Sequence, residues 1–247
     1  MKVEYYAMKT PPDKKSTVGE IKERFDADVE RFSNLETGQQ AVIDAPLMLE
    51  LISELAVRIK PGAGNLLDIG CGAGNNSIAI IRKKGGINCD LIDLSLPMLE
   101  RARERLANEN AGNVRTFHGD FRELALPSSN YDIIVAAAVL HHFRDDADWE
   151  SCFGKIYGLL KPGGAFFVSD LVFHEDEGVQ EEMWRRYGEY LESTGGPGYS
   201  GRVFDYIDKE DTPRSLTYQM DLMKKAGFRH TDVLHKNSCF AAFVGIK

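Results

Sequence analysis

Three glycines on alternate positions follow an acidic residue in Asn65-Leu66-Leu67-Asp68-Ile69-Gly70-Cys71-Gly72-Ala73-Gly74-Asn75-Asn76. The apolar run before them reads as a buried strand and the stretch after them as a helix, so the glycines mark a sharp strand-to-helix turn. Glycine is needed where a ligand lies against bare backbone, because a Cβ would hold it away and positive φ is costly for other residues. The spacing is G-x-G-x-G, which differs from the G-x-G-x-x-G of dinucleotide pyrophosphate loops. Asp68 would repel a pyrophosphate and suits a ligand carrying an ammonium group. A second carboxylate, Asp93, ends the strand-like run Asn88-Cys89-Asp90-Leu91-Ile92-Asp93, 19 residues beyond Gly74. At that point a carboxylate can accept hydrogen bonds from both hydroxyls of a ribose.

The elements that must position these residues alternate as strand and helix. Strands are expected at Asn113 to His118, Tyr131 to Ala136 and Ala165 to Asp170, with a final pair at Phe228 to Leu234 and Phe240 to Ile246 forming a hairpin at the sheet edge. Ser95 caps a helix through Ala102 and Leu106, and a helix through Trp149, Phe153, Ile156 and Leu160 ends at Lys161-Pro162-Gly163-Gly164. Residues 1 to 15 read as loosely ordered. After them come an amphipathic helix with Val18, Ile21, Phe25, Val29 and Phe32 at helical spacing, and a helix from Ala45 to Ile59 with Leu47, Leu51, Leu55 and Ile59 as its apolar stripe. Both precede the first strand and are expected to cap the cleft. Thr212-Pro213 is expected to open a helix that Gly227 ends.

The βα rhythm breaks between His174 and Thr212. That insertion holds eleven acidic and four basic side chains, with aromatics at Trp184, Tyr187, Tyr190, Tyr199, Phe204 and Tyr206 and a hinge-like Gly195-Gly196-Pro197-Gly198. It reads as a substrate cover. The division expected is a single domain over 1–247, with cap helices at 1–60, the core at 61–173 and 213–247, and the cover at 174–212.

With 247 residues, 43% hydrophobic and 28% charged, the chain can build one large α/β core. The net charge of −8 argues against general nucleic-acid binding. No apolar run reaches the ~20 residues of a membrane span, and a cytoplasmic location is expected. Cys71, Cys89, Cys152 and Cys239 lack metal or disulfide spacing, so no metal is expected. His141 and His142 are adjacent, and neighbours on a turn point in different directions, so the pair is not expected to line one site; His141 is the candidate general base.

From Leu66 to Gly164 the chain resembles the class I S-adenosylmethionine-dependent methyltransferases. The resemblance implies a Rossmann-like, doubly wound, seven-stranded α/β sheet with N-terminal cap helices and an insertion after strand five. It implies S-adenosyl-L-methionine as cofactor, with Asp68, Gly70, Cys71, Gly72 and Gly74 near its methionine and loop contacts. Asp93 and Leu94 would lie at the ribose, Met98, Asp120 and Phe121 at the adenine, and Ala137 at the methionine portion. A narrower resemblance joins Phe25-Asp26, Lys155-Ile156-Tyr157 and Lys225-Ala226-Gly227-Phe228 to the carboxy-S-adenosylmethionine synthases. It implies a cofactor contact at Asp44, where the synthases have tyrosine, and a carboxylate-holding role for Arg202. The synthases also have an asparagine at the Ala137 position. Methyl transfer to a small-molecule acceptor is the function expected, with no bulk nucleic acid or membrane as partner; a homodimer is compatible with the sequence. A synthase-like enzyme that makes or uses a modified cofactor and a non-catalytic cofactor-binding protein are the rivals.

Overall fold

Short runs bounded by glycine, asparagine and acidic residues fold as parallel strands, the inner ones buried on both faces. In a computed structural model, which describes residues 10–34 and 39–247, these are β1 (Asn65–Ile69), β2 (Asn88–Asp93), β3 (Val114–His118), β4 (Tyr131–Ala137) and β5 (Leu160–Leu171). A hairpin, β6 (His230–Asn237) and β7 (Phe240–Ile246), completes a seven-stranded sheet in the order β3-β2-β1-β4-β5-β7-β6. Only β7 runs antiparallel to its neighbours, pairing with β5 from Ala165↔Ile246 to Leu171↔Phe240. The expected edge hairpin is present, with β7 inside the sheet and β6 at the margin.

Alternation along the strands divides the core into two layers. Leu66, Leu91, Ile133, Val135 and Phe167 face a cluster with α3 (Ala45–Ile59), α4 (Asn75–Lys83) and α5 (Leu96–Leu106). Leu67, Ile92, Ile134, Phe166 and Val168 face a cluster with α6 (Asp146–Leu159) and α9 (Leu216–Ala226). Strand order reverses between β1 and β4, and in such sheets the crevice beyond the carboxyl ends of those two strands is where ligands bind.

The segment after β5 is a helical hairpin, α7 (Glu177–Gly195) and α8 (Tyr199–Glu210). Its acidic side chains Glu177, Glu182, Glu189 and Asp205 point outward, while Trp184, Tyr187, Leu191, Phe204 and Ile207 join the first layer. Trp184 and Phe204 meet edge to face at 4.6 Å, and Tyr187 meets Phe240 of β7 at 5.1 Å. The hairpin is thus packed on the sheet as well as charged.

Several elements differ from the sequence reading. The first amphipathic stretch is two helices, α1 (Val18–Ala27) and α2 (Val29–Ser33), broken at Asp28, and of its apolar residues only Ile21 is buried. On α3 the buried face is Met48, Ile52 and Ala56, whereas Leu47 and Ile59 are exposed, so the stripe is rotated by one residue. α9 begins at Leu216, because Ser215 accepts from the Tyr218 N–H as its cap, and Thr212 is bonded elsewhere. β5 starts at Leu160, ahead of Pro162-Gly163-Gly164. Residues 1–9 of the stretch expected to be loose lie outside the described residues; from Thr10 onward it is tied to α8 through Asp208. Among the described residues no helix is long and apolar enough to cross a membrane.

At Gly245, α9 packs closely on the sheet. A Cβ there would lie 2.7 Å from Phe228 and 2.8 Å from the Met223 sulfur. Gly245→Ala should lower stability by about 1–3 kcal/mol through overpacking, whereas Gly158→Ala, in open space on α6, should not. Urea titration of the two variants checks this; equal midpoints would contradict the packing.

Candidate active site

The glycine turn after β1 takes three left-handed residues, Gly70 (φ 64°), Gly72 (φ 50°) and Gly74 (φ 81°). Two of them are forced by protein neighbours: a Cβ on Gly70 would lie 2.5 Å from Val139, and one on Gly74 would lie 3.2 Å from Ala102. Gly72 is different. Nothing of the chain lies within 4 Å of its missing Cβ, and it lines a cavity of about 700 Å³ at the switch point.

Asp93 holds this turn in place. Its Oδ2 accepts the Gly72 N–H at 2.7 Å and its Oδ1 accepts the Ser95 N–H at 2.9 Å. Each carboxylate oxygen keeps a further lone pair, and the residue lines the cavity beside Leu94 and the buried Met98. Burial raises its pKa against the N–H groups of Ser95 and Gly72, which lower it. Asp68 lies beneath the turn, 1% exposed, and its Oδ2 accepts from the Ser77 N–H (3.2 Å) and hydroxyl (2.7 Å). Its Oδ1 has no hydrogen-bond partner. Burial lifts this carboxyl to about 7, against the Ser77 hydrogen bonds.

Across the cavity, Asp170 at the end of β5 organises a turn after β4. Its Oδ2 accepts the N–H groups of Leu140 (2.8 Å) and His141 (3.3 Å), and its Oδ1 is bonded to His141 Nδ1. The Nε2 of His141 is thereby left for other partners. Asp211, just beyond α8, places Oδ1 3.8 Å from His141 Nε2 and 3.1 Å from His142 Nδ1. The second approach is out of line for a hydrogen bond, and neither His142 nitrogen has a hydrogen-bond partner. The Thr212 N–H donates to the His141 carbonyl at 2.7 Å, tying the end of the helical hairpin to this turn. Burial works against charge on His141, but the Asp170 and Asp211 carboxylates outweigh it and lift its pKa to about 9; burial and the His141 charge lower that of His142.

The expectation that His141 and His142 cannot share a site is therefore corrected. Two successive N–H groups bound by one carboxylate wind Leu140–His142 into a 3₁₀ turn, with the two rings 4.3 Å apart and both lining the cavity. Gly70, Cys71, Gly72, Asp93, Leu94, Met98, Ala137 and Arg202 also line it. Five expected residues stand outside the cavity wall. Asp44, at the N-cap of α3, is held at the sheet edge by His235 (2.9 Å) and Asn237 (2.8 Å) of β6. Asp68 and Gly74 lie behind the turn. Asp120 is paired with Arg122 at 2.6 Å, and Phe121 is buried beneath the Lys155 ammonium. The sequence reading missed Asp170, Asp211, Arg24 and Phe25. Asp170 carried a signal, since it ends an apolar strand as Asp68 and Asp93 do; Asp211, at the end of an acidic segment, carried none.

These residues fit a nucleoside: a bare backbone at Gly72, acceptor capacity on Asp93 and an apolar wall at Met98. A methyltransferase-domain model matches residues 66–164. Over 209 residues the chain is 28% identical to a carboxy-S-adenosyl-L-methionine synthase of Shewanella woodyi, covering 81% of this chain and 83% of that one. Human N-acetylserotonin methyltransferase in complex with SAM shares the fold with a TM-score of 0.60 at 20% identity, over 94% of this chain and 56% of that one. An O-methyltransferase family protein from Burkholderia thailandensis does so with a TM-score of 0.63 at 17% identity, over 93% and 61%.

Asp93→Ala should weaken S-adenosylhomocysteine binding by about 1.5–3 kcal/mol, because the ligand and the Gly72 N–H both lose a charged acceptor; calorimetry showing unchanged affinity in the folded variant would contradict this. Asp68 generates a pH test. The native chain holds a proton up to about 7 that an unfolded chain, near 3.8, has released, so this residue makes stability fall as pH rises through that window. Asp68→Asn cannot ionise and keeps an oxygen for Ser77, so the stability difference between about pH 5 and about pH 8 should shrink. An unchanged difference in urea titrations would show that Asp68 does not carry the proton.

Proposed function

We infer that the chain is a class I S-adenosylmethionine-dependent methyltransferase and transfers a methyl group to a small-molecule acceptor bound beneath the α7–α8 hairpin. The cofactor supplies an activated sulfonium methyl, so the protein's main task is to hold an acceptor in line and keep water out. The observation that carries this reading is one continuous cavity, walled at one end by the Gly70–Ala73 turn with Asp93 and at the other by the His141, His142 and Asp211 cluster.

The chain's own residues divide the work. Gly72 and Asp93 bind the nucleoside end. Phe25 and Phe32, in ring contact at 5.5 Å, and Tyr187 and Tyr206 supply apolar walls that exclude water. Asp170 locks the His141 ring, so Nε2 is the atom offered to the acceptor side. Arg202 lines the cavity from α8 with its guanidinium 5.5 Å over the Tyr199 ring, which supports an acceptor bearing a carboxylate. The outward acidic side chains of α7 disfavour a phosphate backbone as ligand. Four free, buried cysteines support work in a reducing compartment such as the cytoplasm.

A second reading, an enzyme that makes or uses a carboxylated cofactor, is favoured by Arg202 and by the named relatives. Ala137 and Asp44 speak against it: the synthases resembled have an asparagine where Ala137 lines the cavity and a tyrosine where Asp44 is turned to β6.

Mass spectrometry of the nucleoside released from purified protein, followed by turnover with hydroxyl-, amine- and carboxylate-bearing acceptors, tests the proposal. S-adenosylmethionine or S-adenosylhomocysteine in the protein and release of S-adenosylhomocysteine with an acceptor are expected. A carboxylated nucleoside would favour the second reading, and binding without turnover across the whole panel would contradict methyl transfer.

A further inference from the structure

The turn after β4 holds more than a single base requires. A base acting alone needs His141 and the Asp170 carboxylate behind it; it leaves His142 and Asp211 unexplained. Both are costly as they stand. Asp211 is 1% exposed and its Oδ1 makes no in-line hydrogen bond, having only the two imidazoles beside it, and His142 is largely buried with neither nitrogen in an in-line hydrogen bond. Buried polar atoms without hydrogen bonds call for an explanation, and an ion is one that would satisfy both of these residues at once. Here they converge: His141 Nε2 is 3.8 Å and His142 Nδ1 3.1 Å from Asp211 Oδ1, and ligand atoms of the three residues lie within 4.8 Å of one another.

We propose that His141, His142 and Asp211 form a binding site for a divalent transition-metal ion, of zinc or cobalt type, on the acceptor side of the cavity. Ligands about 2.0–2.1 Å from a tetrahedral ion stand about 3.3 Å apart. The 3.1 Å edge already matches, and small side-chain rotations close the others. The surroundings are those of a ligated histidine: Asp170 is bonded to His141 Nδ1, which fixes the ring with Nε2 toward the ion and raises its basicity. Local charge agrees. Asp170, Asp211 and Glu210 face Arg24, Arg144 and Lys15, with Arg24 held by Glu210 at 3.0 Å, so with neutral histidines the site carries no net positive charge to repel a cation.

Two His and one carboxylate leave coordination positions open toward the cavity, the arrangement that lets an ion take an oxygen of a second molecule. The acceptor class that follows is one offering an oxygen donor to the ion, which would lower the pKa of a hydroxyl held there. This assignment of the acceptor rests on the methyl-transfer reading; binding of the ion does not. Because Asp211 follows α8 directly, the ion would also fasten the end of the helical hairpin to the turn, beside the Thr212 N–H bond to His141.

Chelator-treated, full-length protein titrated with Zn²⁺ by calorimetry and with Co²⁺ by visible absorption reads the site without any assay of turnover. One ion per chain is expected, with Co²⁺ bands of low coordination number. His142→Ala and Asp211→Asn should each weaken binding at least about 100-fold, and Asp170→Asn, which acts through His141, by about 10–100-fold. Circular dichroism establishes that each variant is folded, and His142→Ala serves where loss of the buried Asp211 charge prevents folding. Absence of stoichiometric binding to the wild-type chain, or equal affinity in the folded His142→Ala variant, would overturn the proposal. S-adenosylhomocysteine titration of the same samples reads the cofactor half separately, so failure of the metal site and failure of the methyl-transfer reading give different results.

Discussion

One buried carboxylate fixes the acceptor half of this molecule. Asp170 accepts from the backbone of Leu140, His141 and Leu171 and is bonded to the His141 ring. A carboxylate 2% exposed is costly unless its oxygens are satisfied in this way. Those bonds join the end of β5 to the turn after β4, and the turn in turn receives Thr212 from the end of the helical hairpin. Asp93 does the corresponding work for the cofactor half, clamping the glycine turn by the Gly72 N–H. The two acids lie at the carboxyl ends of parallel strands of one sheet, on either side of the point where strand order reverses, and both face the cavity.

The first half of the site was legible in the sequence because its determinants are local. Gly70, Gly72 and Gly74 sit where positive φ is demanded, and Asp93 closes an apolar strand; spacing alone therefore identifies a binding turn. The inner strands were legible for a similar reason, since burial on both faces leaves a largely apolar run. The sequence was less informative about function within the turn. Gly70 and Gly74 are required by Val139 and Ala102, and of the three only Gly72 has open space where its Cβ would be, a distinction that depends on neighbours far along the chain.

The rest was hidden because it depends on long-range partners. Neighbouring histidines diverge on an ordinary turn, but a carboxylate 29 residues away binds the His141 N–H and ring and winds the pair to one side. Asp44 caps α3 in sequence, yet its Oδ2 is taken by His235 and Asn237 of β6, 191 and 193 residues distant. The α3 stripe was misplaced by one position because small and flexible side chains, Ala56 and Met48, pack against the sheet, while Leu47 and Ile59 remain at the surface.

The central claim is that the glycine turn and the α7–α8 hairpin enclose a single cavity, so occupancy of one half must be felt by the other. Hydrogen exchange with and without S-adenosylhomocysteine measures this directly. Slowed exchange in both Gly70–Asn76 and Tyr199–Thr212 is expected when the ligand binds. Protection confined to the glycine turn, with α8 and Asp211 unchanged, would contradict it.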